Sequence, residues 1–295
     1  MISPFPKPQT PPKQKPKRLL WREAVTVCIA AACKEDKESR IVICADKKIG
    51  TWMAGAEVGF KFSWATRNWP ALIAGEVRRA TELLATYEGY LSTVTLDRNN
   101  VFDEIKKPVL IQKVKLADEY VKGKFGFSYD HLRTHGKKEL PASLLYETFS
   151  AIKELELGCQ LLIVGFLDHG GYRNEQFMFV IERDFSVTHH SLFAAIGTGG
   201  IVAESALYQR KQFSHRELWD TLYNVYEAKS LSQISEGVGS GTDMAVLSPA
   251  PAPTTKTPRP LVVSRFVNDA GFQALSEMYE RCSLKEVTNT TWDSS

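Results

Sequence analysis

The strongest candidate for chemistry in this chain is a threonine at the head of a buried run. Thr26 opens Thr26-Val27-Cys28-Ile29-Ala30-Ala31-Ala32-Cys33, and a second run, Ile41-Val42-Ile43-Cys44-Ala45, ends at Asp46 with the pair Lys47-Lys48 close behind. A threonine hydroxyl is a poor nucleophile unless a base sits beside it, and the α-amine of the same residue is that base when the chain begins there. Such chemistry requires removal of the residues before Thr26. Cys28 offers a rival nucleophile, because alternation along a strand puts it on the same face as Thr26; an apolar neighbourhood, however, raises a thiol's pKa.

Residues of this kind act only when a rigid frame holds them. Both runs are nearly continuous in apolar or small residues, which predicts strands covered on both faces, joined by a charged turn over Lys34-Glu35-Asp36-Lys37-Glu38-Ser39-Arg40. Phe60-Lys61-Phe62-Ser63-Trp64 and Pro70-Ala71-Leu72-Ile73-Ala74-Gly75 predict two more strands. A helix is expected from about Glu76 to Leu91, with Val77, Ala80, Leu83, Leu84 and Tyr87 on its apolar stripe. Residues 96–157 are charged and helix-rich, broken at Gly123-Lys124-Phe125-Gly126 and at Pro141, and their spread lysines suggest a solvated surface.

Beyond that stretch, Cys159 to Phe166 and Gln176 to Ile181 predict a hairpin turning at Asp168-His169-Gly170-Gly171. Phe193 to Ile196 is a short strand ending in Gly197-Thr198-Gly199-Gly200, and a helix follows with Val202, Ala206 and Leu207 on one side. A further helix is expected over about Ser214 to Ser230. After Gly237-Val238-Gly239-Ser240-Gly241 comes a last core strand, Met244 to Leu247. Strands come in pairs separated by helices, so hairpins build the sheets. The Pro249–Pro260 stretch predicts a stiff linker, and Asn268-Asp269 caps a final helix with Phe272, Leu275, Tyr279 and Cys282 along one stripe.

Composition narrows the function classes. The formal charge is +3, and the first eighteen residues alone carry Lys7, Lys13, Lys15, Lys17 and Arg18, leaving the rest near neutral. Nucleic-acid binding by the globular body is therefore not suggested. The Pro/Lys-rich residues 1–23 cannot bury enough surface to offset their ordering entropy, which predicts a disordered tail or a propeptide. Five cysteines, Cys28, Cys33, Cys44, Cys159 and Cys282, have no zinc-ligand spacing and suggest reduced thiols in a cytoplasmic protein. No apolar stretch approaches the length of a membrane span. No P-loop is present, and no cofactor or metal is expected.

From about Thr26 to Leu247 the chain resembles a proteasome β-type subunit, of the N-terminal nucleophile hydrolase superfamily. The features are the opening threonine strand, Ile41 to Lys48, Lys61 before the next strand, Leu72-Ile73-Ala74-Gly75, Leu161 to Phe166, Ala195-Ile196-Gly197-Thr198-Gly199 and Gly239-Ser240-Gly241-Thr242-Asp243, all in the family's order. The resemblance implies an α+β fold, a four-layer αββα sandwich of two antiparallel sheets between helical layers, over residues 24–248 with 96–157 as an insertion and 249–295 as an appendage. It implies a threonine-type peptidase with Thr26 as nucleophile, Lys61 easing negative charge on its oxygen, and Asp46 keeping that lysine charged and oriented. Thr198 takes the place of the family's serine near the terminal amine, and Gly75 lies where backbone N–H groups meet substrate. A polypeptide or amide substrate, a homo-oligomer such as a ring, and a separate ATPase partner are implied in the same way.

Two departures keep a second reading open, that of an inactive subunit serving assembly. Val25 precedes Thr26, where self-cleaving members usually carry glycine and a branched side chain hinders the backbone geometry of cleavage. A slide of two residues in the first strand would put Ala24 at the nucleophile position. The family's acidic, serine-bearing loop aligns only loosely near Ser235-Glu236, and Asp243 is expected to cap or pair structurally.

Overall fold

The computed structural model of the chain describes residues 26–50, 55–56, 61–66, 68–169, 172–249 and 262–282. Residues 1–25, with Ala24 and Val25, lie outside these, as do Phe60, Gly170, Gly171 and the linker from residue 250 on.

Alternation of side chains along the apolar runs creates the layers. In β1 (Cys28–Glu35) and β2 (Glu38–Asp46), Cys28, Ala30, Ala32, Ile41, Ile43 and Ala45 face one core, while Ile29, Ala31, Cys33, Val42 and Cys44 face another. Strands with two apolar faces need a covering layer on each side. Two short strands follow, β3 (Ile49–Gly50) and β4 (Gly55–Ala56), then β5 (Phe62–Thr66) and β6 (Trp69–Gly75). Helix α1 (Val77–Leu91) leads into α2 (Val101–Phe125), α3 (Tyr129–Glu139) and α4 (Ala142–Lys153). Strands β7 (Cys159–His169), β8 (Tyr172–Ile181), β9 (Val187–His190) and β10 (Phe193–Ile196) come next. Helices α5 (Gly200–Gln209) and α6 (Leu218–Leu231), a 3-10 turn at Ser232–Ile234, β11 (Thr242–Pro249), β12 (Val262–Phe266) and α7 (Asp269–Cys282) complete the described chain.

One five-stranded sheet has the order β10-β1-β2-β11-β12 and the other β5-β6-β7-β8-β9, with antiparallel pairing throughout both. The sheets meet across a core of Ala30, Ile43, Leu72, Leu162, Val164, Met178 and Val180. Helices α5, α6 and α7 cover the outer face of the first sheet over Ile29, Val42 and Met244, with Leu207 of α5 in the same core. Helices α1 and α2 cover the second, around Tyr87, Leu161, Phe179 and Ile105. The result is the four-layer α+β sandwich, two antiparallel sheets between helical layers. The stretch 96–157 forms α2, α3 and α4, whose own small core is Ala117, Val121, Leu132 and Ile152.

Several boundaries differ from the sequence expectations. The turn between β1 and β2 is only Asp36-Lys37, both left-handed at φ 51° and 70°, because two such residues match the twist of paired strands. The charged residues around it extend the hairpin past the core, where Arg40 pairs with Glu35 at 3.0 Å and Glu38 at 2.7 Å. Gly123 lies within α2, which stops instead at Gly126 in the left-handed region. β5 sits two residues later than expected, β8 begins at Tyr172, and α6 starts at Leu218. β9 and β12 went unforeseen: both are short, and Val187-Thr188-His189-His190 is too polar to signal a strand.

Candidate active site

Thr26 sits just before β1, held by the turn that follows β10. Its carbonyl accepts from the Gly199 N–H at 3.1 Å and from the Thr198 hydroxyl at 3.4 Å. Gly197 must be glycine here, since its φ is +88° and a Cβ would stand 2.3 Å from the Thr26 carbonyl oxygen. The turn is secured from behind by Gln160 Oε1, which accepts from the Gly197 N–H at 3.0 Å, and by the Ser232 hydroxyl on the Gly199 carbonyl at 3.1 Å.

The neighbouring strand brings in the acid. Cys28 pairs with Ala45 across the hairpin, which carries Asp46 past the end of β1 to a place opposite Val27, where the Asp46 N–H donates to the Val27 carbonyl at 3.1 Å and the side chain reaches Thr26. In this register it is the Thr26 hydroxyl that meets the acid, while Ala24 lies outside the described residues. Asp46 is fully buried. Its Oδ1 accepts from the Val27 N–H at 2.9 Å and from the Thr26 hydroxyl, and its Oδ2 accepts from the Gly239 N–H at 3.1 Å. A buried carboxylate is tolerated only when so provided with donors.

Lys61 arrives from the other sheet, immediately before β5. Its Nζ is 2.7 Å from Asp46 Oδ1 and also donates to Thr26 Oγ1, with the side chain 10 % exposed. The fourth residue, Thr198, places its hydroxyl oxygen 3.3 Å from the Thr26 nitrogen. All four residues singled out in the sequence thus converge on one point, although Thr26 and Thr198 are far apart in the chain. Asp243 stands aside and pairs with Lys47 at 3.2 Å.

Gly75 lies at the end of β6. The Ile73 N–H donates to the Lys61 carbonyl at 2.9 Å, so strand alternation turns the Gly75 N–H to that same side, beyond the start of β5. With φ at +106° and a notional Cβ 2.8 Å from Gly158 O, this position also needs glycine.

Cys28 is unsuited to nucleophilic attack. It is wholly buried, its thiol donates to the Ile73 carbonyl at 3.4 Å, and burial pushes its pKa up to about 12 despite the Lys61 charge nearby. At neutral pH it is a thiol and a packing residue.

Sequence reasoning missed two contributors. Gly239 was read only as part of a glycine turn, yet its N–H fills one oxygen of Asp46 and a Cβ there would lie 2.6 Å from Lys48 Cβ. Lys229 of α6, which the sequence does not single out, is fully buried and donates to the Ser240 carbonyl at 2.6 Å. No pattern along the chain signals this, because Glu227, Ser230 and Ser232 around Lys229 give it the look of a solvated helix position.

A scan against protein-family models finds no match, and a search of curated proteins also finds none. Among the described residues, no group of three or more His, Cys, Asp or Glu side chains forms a metal site, and no helix is long and apolar enough to cross a membrane.

Proposed function

We propose that this chain is a threonine-type hydrolase of amide and peptide bonds, of the proteasome β-subunit kind, with Thr26 as a nucleophile freed by removal of the residues before it. The observation that carries the reading is the meeting of the Thr26 hydroxyl, the Lys61 ammonium and the Asp46 carboxylate at one buried point.

Each group has a task that follows from its chemistry. Once Val25 is gone, the Thr26 nitrogen becomes an amine able to take the proton of its own hydroxyl as the oxygen attacks a carbonyl. Negative charge on that oxygen is stabilised by Lys61, and Asp46 holds Lys61 in place through their 2.7 Å contact. Thr198 orients the amine from 3.3 Å. The Gly75 N–H is directed to where the tetrahedral oxyanion forms. The amine then returns its proton to the leaving nitrogen, leaving an ester on Thr26. Water, activated by the same amine, hydrolyses that ester and restores the hydroxyl.

A polypeptide substrate, a homo-oligomeric and ring-like assembly, a separate ATPase partner and a cytoplasmic location belong to the same proposal and rest on the family resemblance. The other reading, an inactive scaffold subunit, is favoured by Val25 standing before Thr26. N-terminal sequencing of the natively expressed protein, with a fluorogenic peptide assay on the same sample, separates the two. A chain that begins at Thr26 and turns over substrate supports the enzyme. A chain that begins at Met1 and is inert supports the scaffold.

A further inference from the structure

The buried Lys229 is not used by the chemistry just described, and its place in the fold gives it a role there. An ammonium taken wholly out of water is expensive unless its donors are satisfied, and an apolar side chain of similar length fills such a site at less cost. Lys229 lies in the last turns of α6 and sends its Nζ to the Ser240 carbonyl at 2.6 Å. The residue before Ser240 is Gly239, whose N–H holds Asp46 Oδ2 at 3.1 Å. On the other side of the loop, the Lys47 N–H donates to the Gly241 carbonyl at 3.1 Å. The three-residue segment Gly239–Gly241 is therefore held at every residue, with the Asp46 contact at its first residue and the two clamps, Lys229 and the Lys47 N–H, on the two that follow.

We propose that Lys229 is a positioning residue for hydrolysis: by holding the Ser240 carbonyl it presents the Gly239 N–H to Asp46, and so sets the angle at which Asp46 offers Oδ1 to Lys61 and Thr26. This inference rests on the threonine-hydrolase reading above. The physical logic is that a carboxylate with one oxygen tied down cannot rotate. Its second oxygen is then pre-aimed, which spares reorganisation when charge develops on Thr26. Gly239 has space for nothing larger than hydrogen on the side facing Lys48 and Asp46, so the loop has one seat on the acid, and Lys229 is what keeps it there.

The test uses the full protein and a β-lactone probe that acylates a terminal threonine, read by intact mass over time. In Lys229→Met the labelling rate constant at saturating probe falls about tenfold, the order expected for losing one charge-assisted hydrogen bond, while half-saturation and the final labelled fraction match the wild type. Lys229→Gln, which retains a donor on a shorter stem, recovers part of that rate and serves should the methionine variant fail to fold. A merely structural role gives the opposite pattern, a lower labelled fraction and melting temperature with an unchanged rate constant for the sites that react. That result, or a variant as fast as the wild type, overturns the proposal. A wild type that takes no label overturns the hydrolase reading itself and this inference with it.

Discussion

Two carboxylates of this protein are equally and completely buried, yet they do different work. Glu227 in α6 is gripped by the Arg210 guanidinium through both oxygens, at 2.5 and 2.8 Å, and the same guanidinium reaches the Cys282 carbonyl at 2.6 Å. That pair ties the C-terminal helix to the body. Asp46 instead meets a lysine, a hydroxyl and two backbone N–H groups. An arginine fork is a planar, permanently charged clamp, whereas a lysine is a mobile point charge that can serve a reacting oxygen. Burial of an acid therefore marks both sites, and only the company it keeps distinguishes the one proposed to be reactive.

The comparison breaks first at Thr26. Thr26→Ala is expected to leave the fold intact and to lower peptide turnover by at least about a thousandfold, because the proposed nucleophile is lost. Arg210→Ala is the matching cut at the other site. It leaves the Glu227 charge buried without its fork, lowering stability by about 3 kcal/mol in chemical denaturation, with the Thr26 labelling rate unchanged. If instead Arg210→Ala slows labelling in a sample that is still folded, the two sites are not separate.

Lys61→Arg sharpens the distinction, since it puts a guanidinium where the ammonium stood. Charge is kept and geometry is lost, and a fall of about a hundredfold in kcat is expected, read against peptide concentration so that KM is separated. Thr198→Ala removes the hydroxyl that meets both the Thr26 nitrogen and the Thr26 carbonyl, and a loss of about fivefold is expected, with Thr198→Ser close to wild type.

One effect is absent at neutral pH and concerns alkaline stability. Burial raises the thiols of Cys28, Cys33 and Cys159 from 9.0 to about 12, and that of Cys44 upward as well. In the unfolded chain these thiols ionise near 9.0, so the folded state binds more protons above that pH. Their contribution is complete below pH 9 and fades as pH rises toward 12. Melting temperature is expected to fall across that window, and less steeply in Cys33→Ala.

Much of this arrangement was legible in the residues, for reasons that differ by element. Runs such as Ile41 to Ala45 declare doubly buried strands because no polar residue interrupts them, and the four-layer stacking follows from having several such runs. Thr26 and Asp46 stood out from the residues alone, one at the head of an apolar run and the other at the end of the next, whereas Lys61 and Thr198 were reached only through the resemblance to proteasome β-type subunits. Lys229 and Gly239 were missed because their roles lie in contacts between segments distant from Asp46 in sequence. A lysine in a helix ordinarily faces water, and no pattern along the chain reveals that this one faces a carbonyl. The Asp36-Lys37 turn was overestimated for a related reason: charged residues resemble a loop even when they extend a hairpin beyond its core.

In the proposed hydrolase, a freed amine and a hydroxyl on Thr26 act together above the Asp46–Lys61 pair. The most direct test of this is peptide mapping after incubation with an electrophile that bonds both groups of a terminal threonine. The account predicts a chain lacking its first twenty-five residues and carrying one adduct, located on Thr26. A full-length chain with no adduct, or an adduct at Cys28, would contradict it.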